Sequence, residues 1–201
     1  MIGVILSAGM GTRLMPLTKE IPKPLLKVNG MTLLERMMKN LMAADIKDFI
    51  VIVGYNKDKV IDLAPELEEK YSINIKILEN EKYDVTNTSV STYIASKYIE
   101  ENGADDFILI NGDNVVDPEI ITRIAVRDNT SLIVDNFKNL NEESFKIIIE
   151  NETFNDDKSI ANGNIAEIGK ELIFQVLQES SLACQRFAKM ICQSTMKFLK
   201  N

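Results

Sequence analysis

The chain has no histidine and no tryptophan, and only two cysteines, Cys184 and Cys192, among its 201 residues. Without histidine, imidazole acid–base catalysis is excluded, and so is a zinc site of the usual histidine-containing kind. Two cysteines are too few for a disulfide framework, so a packed core must carry stability. Aromatic residues are sparse, at 6%. Cations are outnumbered, with 23 Lys and Arg against 30 Asp and Glu for a formal charge of −7. No overall basic footprint exists, so no nucleic-acid partner is expected. No segment approaches about 18 uncharged apolar residues, so no membrane span is expected. Met1-Ile2-Gly3 runs straight into apolar residues without a basic start, unlike a secretory leader, and a cytoplasmic protein is expected. Chemistry must come from Asp, Glu, Lys, Arg and the backbone.

What is present is concentrated at the start. Val4-Ile5-Leu6 is a short apolar run ended by small residues, as a buried parallel strand would be. Ser7-Ala8-Gly9-Met10-Gly11-Thr12 follows, and its glycines carry no Cβ to keep an anion from the backbone N–H groups. Arg13 adds a planar fork of donors suited to phosphate oxygens. Lys23 lies between Pro22 and Pro24, which stiffen its backbone. A nucleoside triphosphate fits such a loop. Two commoner phosphate motifs do not match. A Walker A loop needs Gly-Lys-Ser/Thr where Gly11-Thr12-Arg13 stands, and a dinucleotide fingerprint needs a glycine where Leu14 stands.

Further along, strands alternate with helices. Phe49–Val53, Ile75–Leu78, Phe107–Ile110, Leu132–Val134 and Phe145–Ile149 read as strands. Thr32–Ala44, Lys57–Tyr71 (interrupted or restarted at Pro65), Asn87–Ile99 and Pro118–Val126 read as helices. That alternation predicts an α/β fold, a three-layer sandwich with a mostly parallel sheet and helices on both faces. Sites in such sheets lie at strand carboxyl ends, where the glycine loop, Gly54-Tyr55 and Asp113 all fall. Asp113, in Asn111-Gly112-Asp113-Asn114, can ligate a divalent cation or form an Asx turn. Asn87, Thr88 and Ser89 can read the edge of a base or cap a helix.

The opening resembles the nucleotidyltransferase family that joins an NTP to a small phosphorylated acceptor. Its signature, L-x-A-G-x-G-T-R-L followed by P-K-x-L, is matched at Leu6, Ala8, Gly9, Gly11, Thr12, Arg13, Leu14, Pro22, Lys23 and Leu25. The resemblance covers roughly residues 1–170, and it implies a Rossmann-like nucleotidyltransferase fold. It implies attack of an acceptor phosphate on the α-phosphorus of the NTP, with pyrophosphate leaving. Arg13 and Lys23 would be the catalytic cations. Leu6, Ala8, Gly9, Gly11, Thr12, Arg13, Lys23, Gly54, Tyr55, Asn87, Thr88 and Ser89 would bind nucleotide. Asp113 would hold Mg²⁺, with Asp135 the next candidate. Val53-Gly54-Tyr55-Asn56, Thr86-Asn87-Thr88-Ser89-Val90-Ser91 and Val134-Asp135-Asn136 resemble the short cytidylyltransferase branch that acts on phosphocholine or polyol phosphates. CTP is therefore the favoured nucleotide, and a phosphocholine-like or polyol or sugar phosphate the acceptor.

The tail differs. All the glutamines (Gln175, Gln178, Gln185, Gln193) and both cysteines lie in it, and Arg186, Lys189, Lys197 and Lys200 face Glu179 alone. Residues 1–174 are expected to form the nucleotidyltransferase domain, with 175–201 an atypical segment. That segment is a basic terminal helix, with Phe187, Met190, Ile191, Met196 and Leu199 as its apolar residues, or a stretch foreign to the family. A catalytically silent, NTP-binding relative with a regulatory role is the alternative function. A Rossmann oxidoreductase would need a ribose-binding acid where Gly54-Tyr55-Asn56 ends the second strand.

Overall fold

In the computed structural model, residues 1–103, 106–135, 146–154, 161–169 and 184–193 are described. In chain order the strands are β1 (Ile2–Ser7), β2 (Lys27–Val28), β3 (Met31–Thr32), β4 (Asp48–Val53), β5 (Asn74–Glu79), β6 (Phe107–Asn111), β7 (Ser131–Asp135), β8 (Lys146–Phe154), β9 (Ala161–Gly169) and β10 (Cys184–Gln193). The helices are α1 (Leu33–Met42), α2 (Lys57–Tyr71), α3 (Thr88–Glu101) and α4 (Pro118–Ala125). The chain divides into two compact units, Met1–Ser131 with Met190–Asn201, and Leu132–Lys189.

The first unit is built on four parallel strands in the order β5-β4-β1-β6. β4, β1 and β6 are apolar on both faces because both faces are covered, whereas the edge strand β5 exposes Asn74, Lys76 and Glu79. Val4, Leu6, Ile50, Ile52, Phe107 and Leu109 pack with Ala95 and Ile99 of α3. The alternate residues face the other way, where α1 lies: a Cβ on Gly3 would stand 3.1 Å from Leu41 and 2.9 Å from Phe49. Three layers result, as the alternation of strands and helices implies. Met190–Gln193 adds an antiparallel strand along β6. In the second unit, β8 and β9 pair antiparallel, with register shifts at Ile148/Ile149 and Glu150/Thr153, and Cys184–Arg186 runs antiparallel to β8. No helix among the described residues is long and apolar enough to cross a membrane.

Most elements stand where the sequence places them, within a residue or two, apart from β8, which runs on to Phe154. Helix starts are set by side-chain caps: Thr32 Oγ1 accepts from Glu35 N at 3.1 Å, and Asp117 Oδ1 accepts from Glu119 N at 2.9 Å. α2 runs unbroken through Pro65. Val60, Ala64 and Leu67 are buried on either side of the proline, while Pro65 itself is exposed, so the carbonyl it leaves unpaired has access to water. One reading is corrected. The tail is not helical at Cys184–Gln193 but forms β10. Backbone pairing with the otherwise open edge of β6 outweighs the helical spacing of its apolar residues. Two elements are also additional: β9, and the small β2–β3 hairpin turning at Asn29 and Gly30, both at positive φ, 52° and 78°. Gln175, Gln178, Met196, Lys197, Leu199 and Lys200 lie outside the described residues.

One polar cluster ties the first two helices together. Glu35, buried on α1, accepts from Lys70 Nζ at 2.8 Å and from Tyr71 Oη at 2.5 Å, both at the end of α2. Burial pushes the Glu35 carboxyl up, but the hydrogen bonds from Lys70 and Tyr71 and the charges of Lys70 and Lys39 outweigh it and hold it below its ordinary value. A carboxyl depressed by folding contributes stability that is full above its unfolded pKa and is lost as pH falls through its folded pKa. Glu35→Gln should therefore cost about 1–2 kcal/mol at neutral pH. The Tm gap to the parent should close as pH is taken below the ordinary carboxyl range, which thermal unfolding measured from pH 7 down to acid would show. A gap that stays constant with pH would mean the cluster acts through packing alone.

Candidate active site

The chain runs from β1 outward through β4 to β5, then returns to β6 on the opposite side of β1. Strand order thus reverses between β1 and β6, and in open sheets of this kind ligands bind outside the carboxyl ends of the strands at such a point. The parallel registers Ser7↔Val53 and Leu6↔Asn111 bring β1, β4 and β6 to one rim. The glycine loop, Gly54-Tyr55 and Asp113 hang from that rim.

The glycine loop leaves β1 at Ser7. Ala8 is buried, whereas Gly9 is exposed and a Cβ there would meet nothing within 4 Å. Gly11 adopts φ 63°, a left-handed conformation that favours glycine. Its carbonyl accepts from Leu14 N and from Thr18 Oγ1, each at 2.9 Å, with Thr18 fully buried. The chain thereby folds back on itself, and a Cβ on Gly11 would lie 3.1 Å from the Cβ of Lys23. Thr12 and Arg13 form a short 3-10 turn, exposed, and Arg13 makes no hydrogen bond or ion pair with the described residues. Lys23 opens a second 3-10 turn between buried Pro22 and Pro24. Its Nζ reaches Asp113 Oδ2 at 2.5 Å, across 90 residues of sequence.

Asp113 follows β6 directly. Gly112 N donates to Leu6 O at 2.8 Å, and a Cβ on Gly112 would stand 2.5 Å from Ser7 Oγ and 2.9 Å from Leu6 O. Only glycine lets the β6 end press against β1 so closely. The segment beyond Asp113 is held to α1 by Asn40, whose amide donates to Val116 O at 2.7 Å. Ser7 Oγ is itself buried and finds no hydrogen-bond partner among the described residues.

The other candidates divide. Gly54 packs under Tyr83 and against Ala8, where a Cβ would come within 2.7 Å of Tyr83 Cβ and 2.8 Å of Ala8 O. Tyr55 N donates to Ala8 O at 3.1 Å, so β4 and β1 stay joined beyond the sheet. The Tyr55 ring meets Tyr83 edge to face, with centroids 6.3 Å apart. Asn87 caps α3: its side-chain oxygen accepts from Ser89 N at 3.0 Å and from Ser89 Oγ. Asn87, Thr88 and Ser89 are all exposed. Asp135 ends β7 in the second unit, and its side chain is outside the described residues.

Several residues absent from the sequence reading organise these loops. Asn80, buried beyond β5, donates to Thr86 Oγ1 at 3.0 Å and Ser91 Oγ at 3.1 Å, and accepts from Lys82 N at 3.1 Å. It shapes the loop that carries Tyr83 and leads to Asn87. Thr18 and Asn40 do the same for the glycine loop and the Asp113 segment. Asn40 had a signal, a polar residue on the apolar face of Met37, Met38 and Leu41. Asn80 and Thr18 had none.

No three His, Cys, Asp or Glu side chains converge as a metal cage among the described residues. A Mg²⁺ ion bound by one or two carboxylates and completed by phosphates and water needs no such cage, and exposed Asp113 at the strand end suits that donor set.

Residues 2–160 match the family model described as Nucleotidyl transferase. The chain belongs to this nucleotidyl transferase family. Among curated relatives, the bifunctional protein GlmU of Methanococcus aeolicus is 33% identical over 156 residues, covering 74% of this chain and 33% of its own. The choline-phosphate cytidylyltransferase of Streptococcus pneumoniae is 37% identical over 114 residues, covering 57% of this chain and 45% of its own. The chain thus spans a third to a half of these relatives. Among solved structures, the inositol-1-phosphate CTP transferase from T. maritima superposes with a TM-score of 0.70 at 19% identity, covering 96% of this chain and 70% of that one. That likeness establishes the Rossmann-like nucleotidyltransferase fold.

The glycines at this site make opposite predictions. Gly112→Ala should lower stability by about 1–3 kcal/mol, because its Cβ meets backbone that has nowhere to go. Gly9→Ala should unfold within about 0.5 kcal/mol of the parent, since nothing opposes it. Ser7→Ala should be neutral or stabilising, because it removes a buried hydroxyl with no partner. Denaturant titration of the three variants checks all of this, and a strongly destabilised Ser7→Ala would reveal a partner for that hydroxyl.

Proposed function

We propose that this chain transfers a nucleoside monophosphate, CMP by preference, from an NTP to a small phosphorylated acceptor such as phosphocholine or a polyol or sugar phosphate, releasing pyrophosphate. The observation that carries this reading is the contact of Lys23 with Asp113 at the switch point, with the glycine loop folded against Lys23 at Gly11. Two parts of the sequence far from each other supply a cation and a carboxylate to one rim, as phosphoryl chemistry needs. Relatives named 2-aminoethylphosphonate cytidylyltransferase and choline-phosphate cytidylyltransferase support the choice of CTP.

An acceptor phosphate oxygen attacks the α-phosphorus, the bond to the β-phosphate oxygen breaks, and pyrophosphate carries the electron pair away. The triphosphate lies along residues 8–13, whose backbone is accessible at Gly9. Arg13, exposed and unengaged by the described residues, clamps the outer phosphates with its planar fork. Lys23 leaves Asp113 for the α-phosphate and offsets the charge that grows as the fifth bond forms. Asp113, so released, would be the residue that holds Mg²⁺. When bound, the ion neutralises phosphate charge. Leu6 and Ala8 support the loop from below, Thr12 stands beside Arg13, and the base lies over Ala8, Gly9 and Gly54 towards the Asn87-Thr88-Ser89 helix start.

Pyrophosphate release from each of the four NTPs, paired with a panel of phosphorylated alcohols and sugars, tests the reading. CTP with a phospho-alcohol should give the highest turnover. Arg13→Ala should chiefly raise the KM for NTP, and Lys23→Ala should chiefly lower kcat, by the equivalent of about 2–4 kcal/mol. Asp113→Asn should fold normally and lose divalent-dependent turnover. Tight NTP binding without pyrophosphate from any pair would favour a silent regulatory relative instead.

A further inference from the structure

We propose that Tyr55 and Asn56 are positioning residues, which fasten the loop between Arg13 and Lys23 to the end of β4 and so fix where Lys23 stands. The proposal rests on the function given above for Lys23. Tyr55 Oη donates to Lys19 O at 2.6 Å, and Asn56 Nδ2 donates to Glu20 O at 3.2 Å. Consecutive side chains thus grip consecutive carbonyls, three and four residues before Lys23.

The choice of partners is telling. Asn56 sits at the N-cap of α2, where an asparagine side chain ordinarily accepts from a helix N–H. It makes no such cap here and adopts φ 49°, a left-handed conformation. The local preference has been set aside, and the amide is turned outward to the loop. Tyr55 is likewise anchored at both ends. Its backbone N–H holds Ala8 O at 3.1 Å, its ring leans on Tyr83, and its hydroxyl reaches Lys19. The same residue therefore touches the glycine loop before Arg13 and the strap after it. The strap itself has little else to hold it. Leu17, Lys19, Glu20 and Ile21 are exposed, and Thr18 is its only buried side chain before Pro22. Pro22 and Pro24 then transmit the position of the strap to Lys23, because a backbone between two prolines has few ways to absorb a shift.

Tyr55→Phe removes the hydroxyl and keeps the ring against Tyr83. We expect kcat to fall about 10-fold or more, the cost of a misplaced group in a positioned site. KM for CTP should stay within about twofold, because ground-state contacts are spared. In a Lys23→Ala background the same change should have no further effect, since Tyr55 acts through Lys23. Asn56→Gly, which retains the left-handed conformation, should behave as a weaker version. A second readout needs no turnover: trypsin should cut after Lys19 several-fold faster in folded Tyr55→Phe, as local opening of the strap becomes easier. The Lys23-Pro24 bond serves as a resistant internal comparison. Equal cleavage rates in Tyr55→Phe and the parent would overturn the tether. A loss of kcat that is as large without Lys23 as with it would overturn its action through that lysine. A parent protein that releases no pyrophosphate sinks the proposed function, and the cleavage arm still decides the tether.

Discussion

The structure depends on one constraint: β1 is paired on both sides by parallel strands that end level with it. Val4, Ile5 and Leu6 are buried because β4 and β6 flank them and helices cover both faces. Level strand ends place Ser7, Val53 and Asn111 on one rim, so the loops that follow must share a small space. Close approach is then unavoidable. Gly112 touches Ser7, and Gly54 touches Ala8, at distances that a side chain would forbid. The absence of bulk at those positions is a consequence of strand pairing. At Gly9 nothing stands within reach of a Cβ, so packing does not require glycine there.

Loops on such a rim have few apolar contacts to hold them, and the chain uses buried amides and hydroxyls instead. Thr18 closes the glycine loop, Asn40 holds the Asp113 segment and Asn80 shapes the loop before α3. Each reaches at least one polar partner from a site with almost no water, where a lost hydrogen bond leaves a costly orphan. These residues touch no charge of the site. They determine where the charged ones stand, which leaves Arg13, Lys23 and Asp113 at the surface with freedom to change partners.

The sheet and its helices were legible because their patterns are redundant. Unbroken apolar runs such as Val4-Ile5-Leu6 and Phe49–Val53, or an apolar face such as Leu34, Met37, Met38 and Leu41, survive an error at any one residue. The β2–β3 hairpin escaped because its strands are two residues each, although Asn29-Gly30 is a strong turn signal. β10 was misread because spacing within one segment reports its own preference and says nothing of a partner edge over seventy residues away. The placing of candidate residues was legible where they follow a strand end or a family signature, as with Gly11, Lys23 and Asp113, whose roles belong to the proposal. What sequence could not convey was pairing: that Lys23 meets Asp113, or that Tyr55 and Asn56 turn toward Lys19 and Glu20. Those are contacts between loops, and loops carry no period.

The Lys23–Asp113 pair shows what that arrangement means electrostatically. Both side chains are partly exposed, at 30% and 40%, so the ion pair adds little to folding. It does keep two charges from standing bare at the rim. On the proposed function, a triphosphate would bring several negative charges to Lys23, and a carboxylate freed of its lysine would gain affinity for a cation in the same event. Exchange of one ion pair for two better ones requires that Lys23 move by its side chain while its backbone stays still. Buried prolines on both sides and a strap gripped at Lys19 and Glu20 meet that requirement. If Lys23 serves as proposed, a rigid base under its ammonium would let the charge follow the reacting phosphorus without a loop rearrangement at each turnover.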